Sequence, residues 1–325
     1  VLRKGVRGLC RARANLDGRL YTLTYGDISS ISFNPIEKKP FYHFWPGSVA
    51  LTIGTWGCNF MCKWCQNWTI SQASPDPAQG HYRAPEELVE LALKSRCEGV
   101  SVSFNEPTLL YEYMLALFPL AKRRRLYTNI VSNGYLSPEA LRELVKAGLD
   151  AIKVDVKGPD RSVARWCGAR GELVWATIEL ARKLGLHLEV VNLLVTGVND
   201  AEQDVRWVAE RLLDLAGPDT PLHLTRFFPA YRVVDRPPTP LIRLEAGWRA
   251  AREVGLRYVY LGNVPSHPYE NTYCPQCDTL LLERRSLALI DVNLAKGNKC
   301  PKCGERIPIV GAYRVRDGEA WAVLS

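Results

Sequence analysis

The chain has 325 residues, 42 of them Lys or Arg and 34 Asp or Glu, giving a formal charge of +8. That length buries a sizeable core, in one large domain with appendages or in two, and no apolar run reaches the length of a membrane span. The first residues, VLRKGVRGLCRAR, are basic without the apolar stretch of a secretory signal, so a soluble cytoplasmic protein is expected. A basic balance can mark a nucleic-acid partner. Here the one dense run, residues 122–125, falls at a predicted helix end, where cations complement the helix dipole, and no aromatic–basic interleaving accompanies it. A nucleic-acid substrate is therefore not expected.

Residues 1–48 read as an irregular N-terminal extension with β-rich stretches at 20–25 and 28–33, interrupted at Gly26 and Asp27 and at Asn34 and Pro35. From residue 49 apolar strands (49–55, 99–104, 126–131, 150–156, 187–195, 222–227 and 256–262) alternate with helical segments near 85–95, 108–123, 138–147, 172–184, 201–214 and 241–254. Pro85 and Pro138 stand at helix starts, and Gly148, Gly185 and Gly255 just past helix ends. Such a repeat predicts an α/β fold with a parallel sheet covered by helices, curled into a full or partial (β/α) barrel, with an open doubly wound sheet as the alternative. Polar motifs at the C-terminal ends of successive strands favour the barrel, which builds its active site there. After residue 263 a loop leads into a small Cys-rich module. The expected division is 1–48, 49–263 and 264–325.

Seven of the ten cysteines fall into two tight groups, Cys58, Cys62 and Cys65, then Cys274, Cys277, Cys300 and Cys303. Tight spacing without a secretion signal points to metal rather than disulfides. Cys10, Cys97 and Cys167 stand apart. The chain begins at Val1; if sequence is missing before it, Cys10 is an orphaned metal ligand, and otherwise a free thiol.

The first group, Cys-x3-Cys-x2-Cys, directly follows the first strand of the repeat. Three thiolates would leave one iron of a [4Fe–4S] cube open to an exogenous ligand. A zinc knot with a remote fourth ligand is the alternative, but zinc ligands more often come as Cys-x2-4-Cys pairs. In DAIKVDVKG, residues 150–158, Lys153, Asp155 and Lys157 share one strand face and Ile152, Val154 and Val156 the other. A parallel strand covered on both sides should be apolar throughout, so three charges point to a polar barrel interior; an exposed edge strand is the bland explanation. The tail pairs Cys274/Cys277 and Cys300/Cys303 form two Cys-x2-Cys knuckles, the pattern of a tetrahedral four-thiolate site. Zinc is the expected metal, a rubredoxin-like iron or an auxiliary cluster the alternative. The site is either a staple for a short tail or a partner-docking module.

GTWGCNFMCKWCQNW, with Trp64 just before the third cysteine, resembles the signature of radical S-adenosylmethionine (SAM) enzymes, and later segments follow in the family's order. The resemblance implies a [4Fe–4S] cluster on Cys58, Cys62 and Cys65 that binds and reductively cleaves SAM. The fold it implies is a partial (β/α)6-type TIM barrel, here with the strand-bearing extension and a zinc-ribbon-like C-terminal module. It places Asn105 and Glu106 of SFNEP at the cofactor amine, departing from the usual Gly-Gly-Glu; Ser132 and Asn133 of VSNGY at the ribose; and Asp155 and Lys157 at the cofactor's amino acid moiety. The bland readings are a helix cap before Pro107 and a plain Asn-Gly turn. Lys153 is a candidate for the substrate. Cys167 is read as a loop or buried thiol, with hydrogen donation or thioether formation the sharper alternatives.

Across nearly the whole chain, FNPIEKKPFYHFWPGS, RFFPAY, RPPTP and YLGNV with ENTYCPQC resemble the AmmeMemoRadiSam radical enzymes, a pyruvate formate-lyase activating enzyme-like group. That implies an association with Memo-like and AMMECR-type proteins and an electron donor such as ferredoxin or flavodoxin. The expected activity is hydrogen abstraction by a 5′-deoxyadenosyl radical from an unidentified substrate, a protein or a small molecule. Activation of a glycyl radical enzyme is the runner-up, though activases often carry extra cluster cysteines just after the first motif. A non-catalytic zinc-binding interaction protein is the alternative of another class.

Overall fold

The computed structural model describes residues 2–315; Val1 and residues 316–325, the end of the expected C-terminal module, lie outside it. The described chain forms two compact units, one of residues 2–34, 49–188 and 228–238 and one of residues 35–48, 189–227 and 239–315.

The first unit opens with a hairpin of β1 (Arg13–Leu16) and β2 (Arg19–Thr22), then β3 (Ser30–Pro35), β4 (Val49–Gly54), α1 (Trp68–Ser71), α2 (Pro85–Lys94), β5 (Gly99–Val102), α3 (Tyr111–Arg123), β6 (Tyr127–Ser132), α4 (Pro138–Lys146), β7 (Ala151–Val156), α5 (Asp160–Cys167) and α6 (Gly171–Lys183). β4, β5, β6 and β7 pair in parallel, in sequence order. Their helix-side residues are mostly apolar and fully buried, including Leu51, Ile53, Val100, Val102, Ile130, Ile152 and Val154. The helices start and stop where local chemistry dictates. Ser137 caps α4 by accepting from Ala140 N–H at 3.2 Å, with Pro138 next. α5 ends on Gly168 in the left-handed region at φ 67°.

The other face of β4–β7 is polar. Register sets Thr52 beside Ser101, Ser101 beside Asn129, and Val131 beside Lys153. Thr52, Ser101, Asn129 and Lys153 are all buried, so the polar face predicted from the charges of β7 runs across the sheet. An exposed position for the charged face of β7 is excluded: Lys153 is only 4% exposed.

The second unit carries β8 (His187–Leu194), α7 (Glu202–Ala216), β9 (Leu222–Arg226), α8 (Leu241–Val254) and β10 (Val259–Gly262), with β9 parallel to both β8 and β10. β11 (Thr272–Tyr273), β12 (Leu280–Arg285) and β13 (Ala288–Val292) form an antiparallel three-stranded sheet. This unit buries an unusual set of charges. Glu189 accepts from the N–H groups of Tyr42 and His43 and pairs with His223 at 2.7 Å. Arg284 donates to the Tyr42 carbonyl at 2.7 Å and lies over the Tyr42 ring. All seven predicted strands and six predicted helices of the repeat are present, and the α/β fold with a parallel sheet is the one expected.

Glu37 gives this network a measurable consequence. It is 1% exposed, one oxygen accepts from Gly47 N–H at 2.7 Å, and the other has no partner. Burial pushes its carboxyl from 4.5 up to about 7, with Arg284 partly offsetting. A raised folded-state pKa means that the native protein holds the proton longer, so stability falls as pH rises from about 4.5 through 7. Glu37→Gln keeps the acceptor for Gly47 and never ionises. It is expected to raise stability at pH 8 by on the order of 3 kcal/mol, with the gain shrinking at pH 5.5. Urea midpoints of the two proteins at both pH values check this.

Candidate active site

Cys58, Cys62 and Cys65 lie on the loop between β4 and α1. Each stretch of this loop is pinned by a different element. Asn105, after β5, accepts from Thr55 N–H at 3.2 Å and donates to the Gly57 carbonyl at 2.7 Å. Gly57 sits at φ 83°, and a β-carbon there would stand 2.2 Å from the Cys10 carbonyl, so only glycine allows the N-terminal extension to pass this close. Further on, Met61 N–H donates to the Cys167 carbonyl and Lys63 N–H to that of Trp166, at 2.9 and 3.1 Å. The Lys63 carbonyl in turn accepts from Arg232 N–H at 2.9 Å. The C-terminal end of α5 thus offers its unsatisfied carbonyls to the loop.

The three thiols have different surroundings. Burial pushes Cys58 up, and the Glu106 carboxylate adds to this. Burial also raises Cys65, whose Sγ lies 3.2 Å from Ser71 Oγ. Cys62 is held down, first by a hydrogen bond with the Cys167 thiol and then by the Lys157 charge. Cys167 is fully buried against Cys62, a juxtaposition that its isolated place in the sequence does not reveal.

Glu106, Ser132 and Asn133 form one unit. The Glu106 carboxylate accepts from Thr108 N–H, Ser132 O–H and Asn133 N–H at 3.1, 2.9 and 2.9 Å. It is fully buried and caps the turn that begins at Pro107. Any ligand ammonium would have to share these oxygens. Asn133 Nδ2 donates to Asn59 Oδ1 at 2.7 Å and lies 3.9 Å from Cys58 Sγ. Asn59 also donates to the Tyr135 carbonyl at 2.9 Å. Sequence reading passed over Asn59, although its place directly after the first cysteine was the available signal.

At the end of β7, Asp155 and Lys157 make an ion pair of 2.6 Å, with side chains 26% and 12% exposed. The second Asp155 oxygen is buried without a partner. Lys153, two residues deeper, is pushed down to about 8 by burial and by Lys157, against the pull of Asp155. The predicted site residues therefore collect at the C-terminal ends of β4, β5, β6 and β7, where a parallel α/β fold binds ligands.

The tail cysteines form a separate group. All four Sγ atoms lie within 4.8 Å of one another, with Cys274–Cys303 at 3.5 Å and Cys277–Cys300 at 3.6 Å. Among the described residues no other group of three or more His, Cys, Asp or Glu ligand atoms is gathered this tightly, so Cys58, Cys62 and Cys65 stand wider.

With this geometry in place, similarity to known proteins decides the family. The model of the radical SAM superfamily matches residues 52–210, which contain the cysteine loop and every strand end just described. Residues 52–210 form a radical SAM superfamily domain. It is 42% identical to an uncharacterized protein of Methanocaldococcus jannaschii over 95% of this chain and 92% of that one. It is 25% identical to the pyruvate formate-lyase-activating enzyme of Streptococcus mutans over 49% of this chain and 64% of that enzyme. A radical SAM methyltransferase from Sphaerobacter thermophilus shares the fold, with a TM-score of 0.52, 16% identity and 67% of each chain covered.

Membership implies a [4Fe–4S] cluster and SAM. The donor set here suits both: three thiols on one braced loop, a lysine for a carboxylate, and an Asp155 oxygen that the protein leaves unpaired. Among the described residues no helix is long and apolar enough to cross a membrane.

Proposed function

We propose that Cys58, Cys62 and Cys65 ligate a [4Fe–4S] cluster and that the chain reductively cleaves SAM to abstract hydrogen from a substrate. The observation that carries this reading is the half-buried Asp155–Lys157 pair, whose lysine acts on Cys62. The bound cluster and SAM supply the electron and the 5′-deoxyadenosyl radical. The chain's own residues bind and orient. Lys157 pairs with the SAM carboxylate, the free Asp155 oxygen accepts from its ammonium, and Ser132 and Asn133 border the ribose. Glu106 holds that turn, and Asn105 holds the cysteine loop.

The test is anaerobic reconstitution with iron and sulfide, followed by reduction in the presence of SAM. About four irons and four sulfides per chain, with 5′-deoxyadenosine as product, are expected. A protein that binds zinc alone and yields no 5′-deoxyadenosine would instead be the non-catalytic scaffold. Lys157→Met is expected to retain the cluster but weaken SAM binding about 30-fold or more, since truncating one partner of a buried charge pair costs 2–5 kcal/mol. Equilibrium dialysis with labelled SAM measures it.

The tail quartet suits a single tetrahedral ion. A Zn–S bond of about 2.3 Å sets tetrahedral sulfurs about 3.8 Å apart, close to the spacing seen between Cys274 and Cys303. We assign zinc there and keep 49–263 as the catalytic core, with 1–48 and 264–325 as its appendages. The whole-chain motifs support placement in the AmmeMemoRadiSam group, with Memo-like and AMMECR-type associates. The similarity to a pyruvate formate-lyase-activating enzyme supports a protein substrate, and glycyl-radical activation is the second reading on the same ground.

A further inference from the structure

The cysteine loop, the end of α5 and the segment after β9 carry cations and aromatics that the proposed function does not use. Lys63, between two of the cysteines, places its ammonium 5.1 Å from the centre of the Trp166 ring, and the guanidinium groups of Arg165 and Arg236 lie 5.8 and 5.2 Å from the same ring. Beside them the Arg232 guanidinium lies 5.1 Å from the Tyr231 ring, which stacks on Trp68 at 5.3 Å. Trp68 is 44% exposed, Phe228 39% and Val234 68%, large apolar groups that a solvated loop has no reason to display.

The charge is concentrated here. Segments 58–68, 160–170 and 228–238, about a tenth of the chain, hold six Lys or Arg against two Asp, half of the net +8. Arginine and exposed aromatics ringed by cations are the composition of a protein-docking face. Trp166 also meets the buried Trp64, between Cys62 and Cys65, with ring centres 5.9 Å apart, so the face abuts the segment that would hold the cluster.

We infer that this face docks an acidic one-electron donor protein, which gives up one electron to the cluster and is itself oxidised by one. The inference rests on the radical SAM reading, because only a cluster on Cys58, Cys62 and Cys65 gives this surface an electron to receive. Its position singles out a donor over other anionic partners: Lys63 is one residue from Cys62, and Arg232 is hydrogen-bonded to the Lys63 carbonyl.

The test uses the reconstituted full chain and an acidic flavodoxin hydroquinone as probe. The rate of cluster reduction is followed by stopped flow, with photoreduced deazaflavin as a donor that needs no docking. Arg165→Glu/Arg232→Glu is expected to lower the flavodoxin rate about tenfold or more at low salt and to converge on the wild type at high salt. Arg165→Gln/Arg232→Gln should fall between them, and all three proteins should be reduced equally by deazaflavin. Equal flavodoxin rates in all three, with an intact cluster that deazaflavin reduces, overturn the docking face alone. Equal rates together with loss of salt-sensitive RNA retention by the Glu variant overturn it in favour of a nucleic acid. No cluster that either donor can reduce overturns the radical reading and the docking face together.

Discussion

Cys58→Ala, Cys62→Ala and Cys65→Ala are each expected to abolish 5′-deoxyadenosine formation and to lose most of the reconstituted iron, while leaving the fold intact. The loop is held by backbone and Asn105 hydrogen bonds that none of the three side chains makes. Removing a thiol therefore takes away a metal ligand and at most sulfur contacts such as Phe60 N–H to Cys58 at 3.4 Å or Ser71 Oγ to Cys65 at 3.2 Å, while the other bonds that shape the loop remain. Two remaining thiolates cannot hold a cube that three already leave open at one iron. Cys97, buried between α2 and β5, serves as the control: Cys97→Ala should keep iron and activity. Iron and sulfide analysis, visible absorbance and far-ultraviolet circular dichroism separate loss of the cluster from loss of fold. Full iron and activity in any one of the three variants would remove that cysteine from the site.

The three positions were legible because the chemistry is local: the ligands sit within eight residues, and their spacing is the message. The same holds for β7, where alternation alone put Lys153, Asp155 and Lys157 on one face. The hairpin of β1 and β2 was also legible, since Asp17 and Gly18 have φ values of 52° and 87°, and Asp-Gly is the preferred pair for such a two-residue turn; reading the extension as irregular passed over it. The contact of Cys62 with Cys167 was not readable, because it depends on how the loop after β4 meets the end of α5. Nor was the enclosure of Glu106, which requires β6 to deliver Ser132 and Asn133 beside it. Long-range pairing decides most completely in the second unit. There Glu189 meets the backbone of Tyr42 and His43, 147 and 146 residues away, and Arg284 that of Tyr42, 242 residues away. A buried carboxylate and a buried arginine in sequence look like surface charges until their partners are known.

Cys277→Ser/Cys300→Ser is expected to empty the tail site of its one tightly bound metal and to unfold the region around β11–β13, with the iron content unchanged. Cys274 and Cys300 are buried in a cluster with Tyr42, Tyr258, Tyr260, Leu281, Leu282, Leu289 and Ile307, so the ion stands at the margin of that core. A three-stranded sheet of 2, 6 and 5 residues has too little apolar surface to hold itself together. Structural zinc in small modules contributes about 10 kcal/mol or more to folding, and without it four thiols must share a space sized for one ion. Arg284 resists the loss, since it ties β12 to the Tyr42 and Glu270 carbonyls and to Thr272. Unfolding of the module should therefore free the Arg284 charge from its burial and loosen segment 35–48 with it. Limited proteolysis should then cut within residues 274–303 and, at higher protease, within 35–48. Metal analysis should show one zinc per chain lost and iron retained. Cleavage confined to 274–303 would mean that Arg284 holds its partners without the ion, and that the metal staples only the knuckles. Loss of iron along with zinc would mean that the quartet supports the cysteine loop and is more than a local staple.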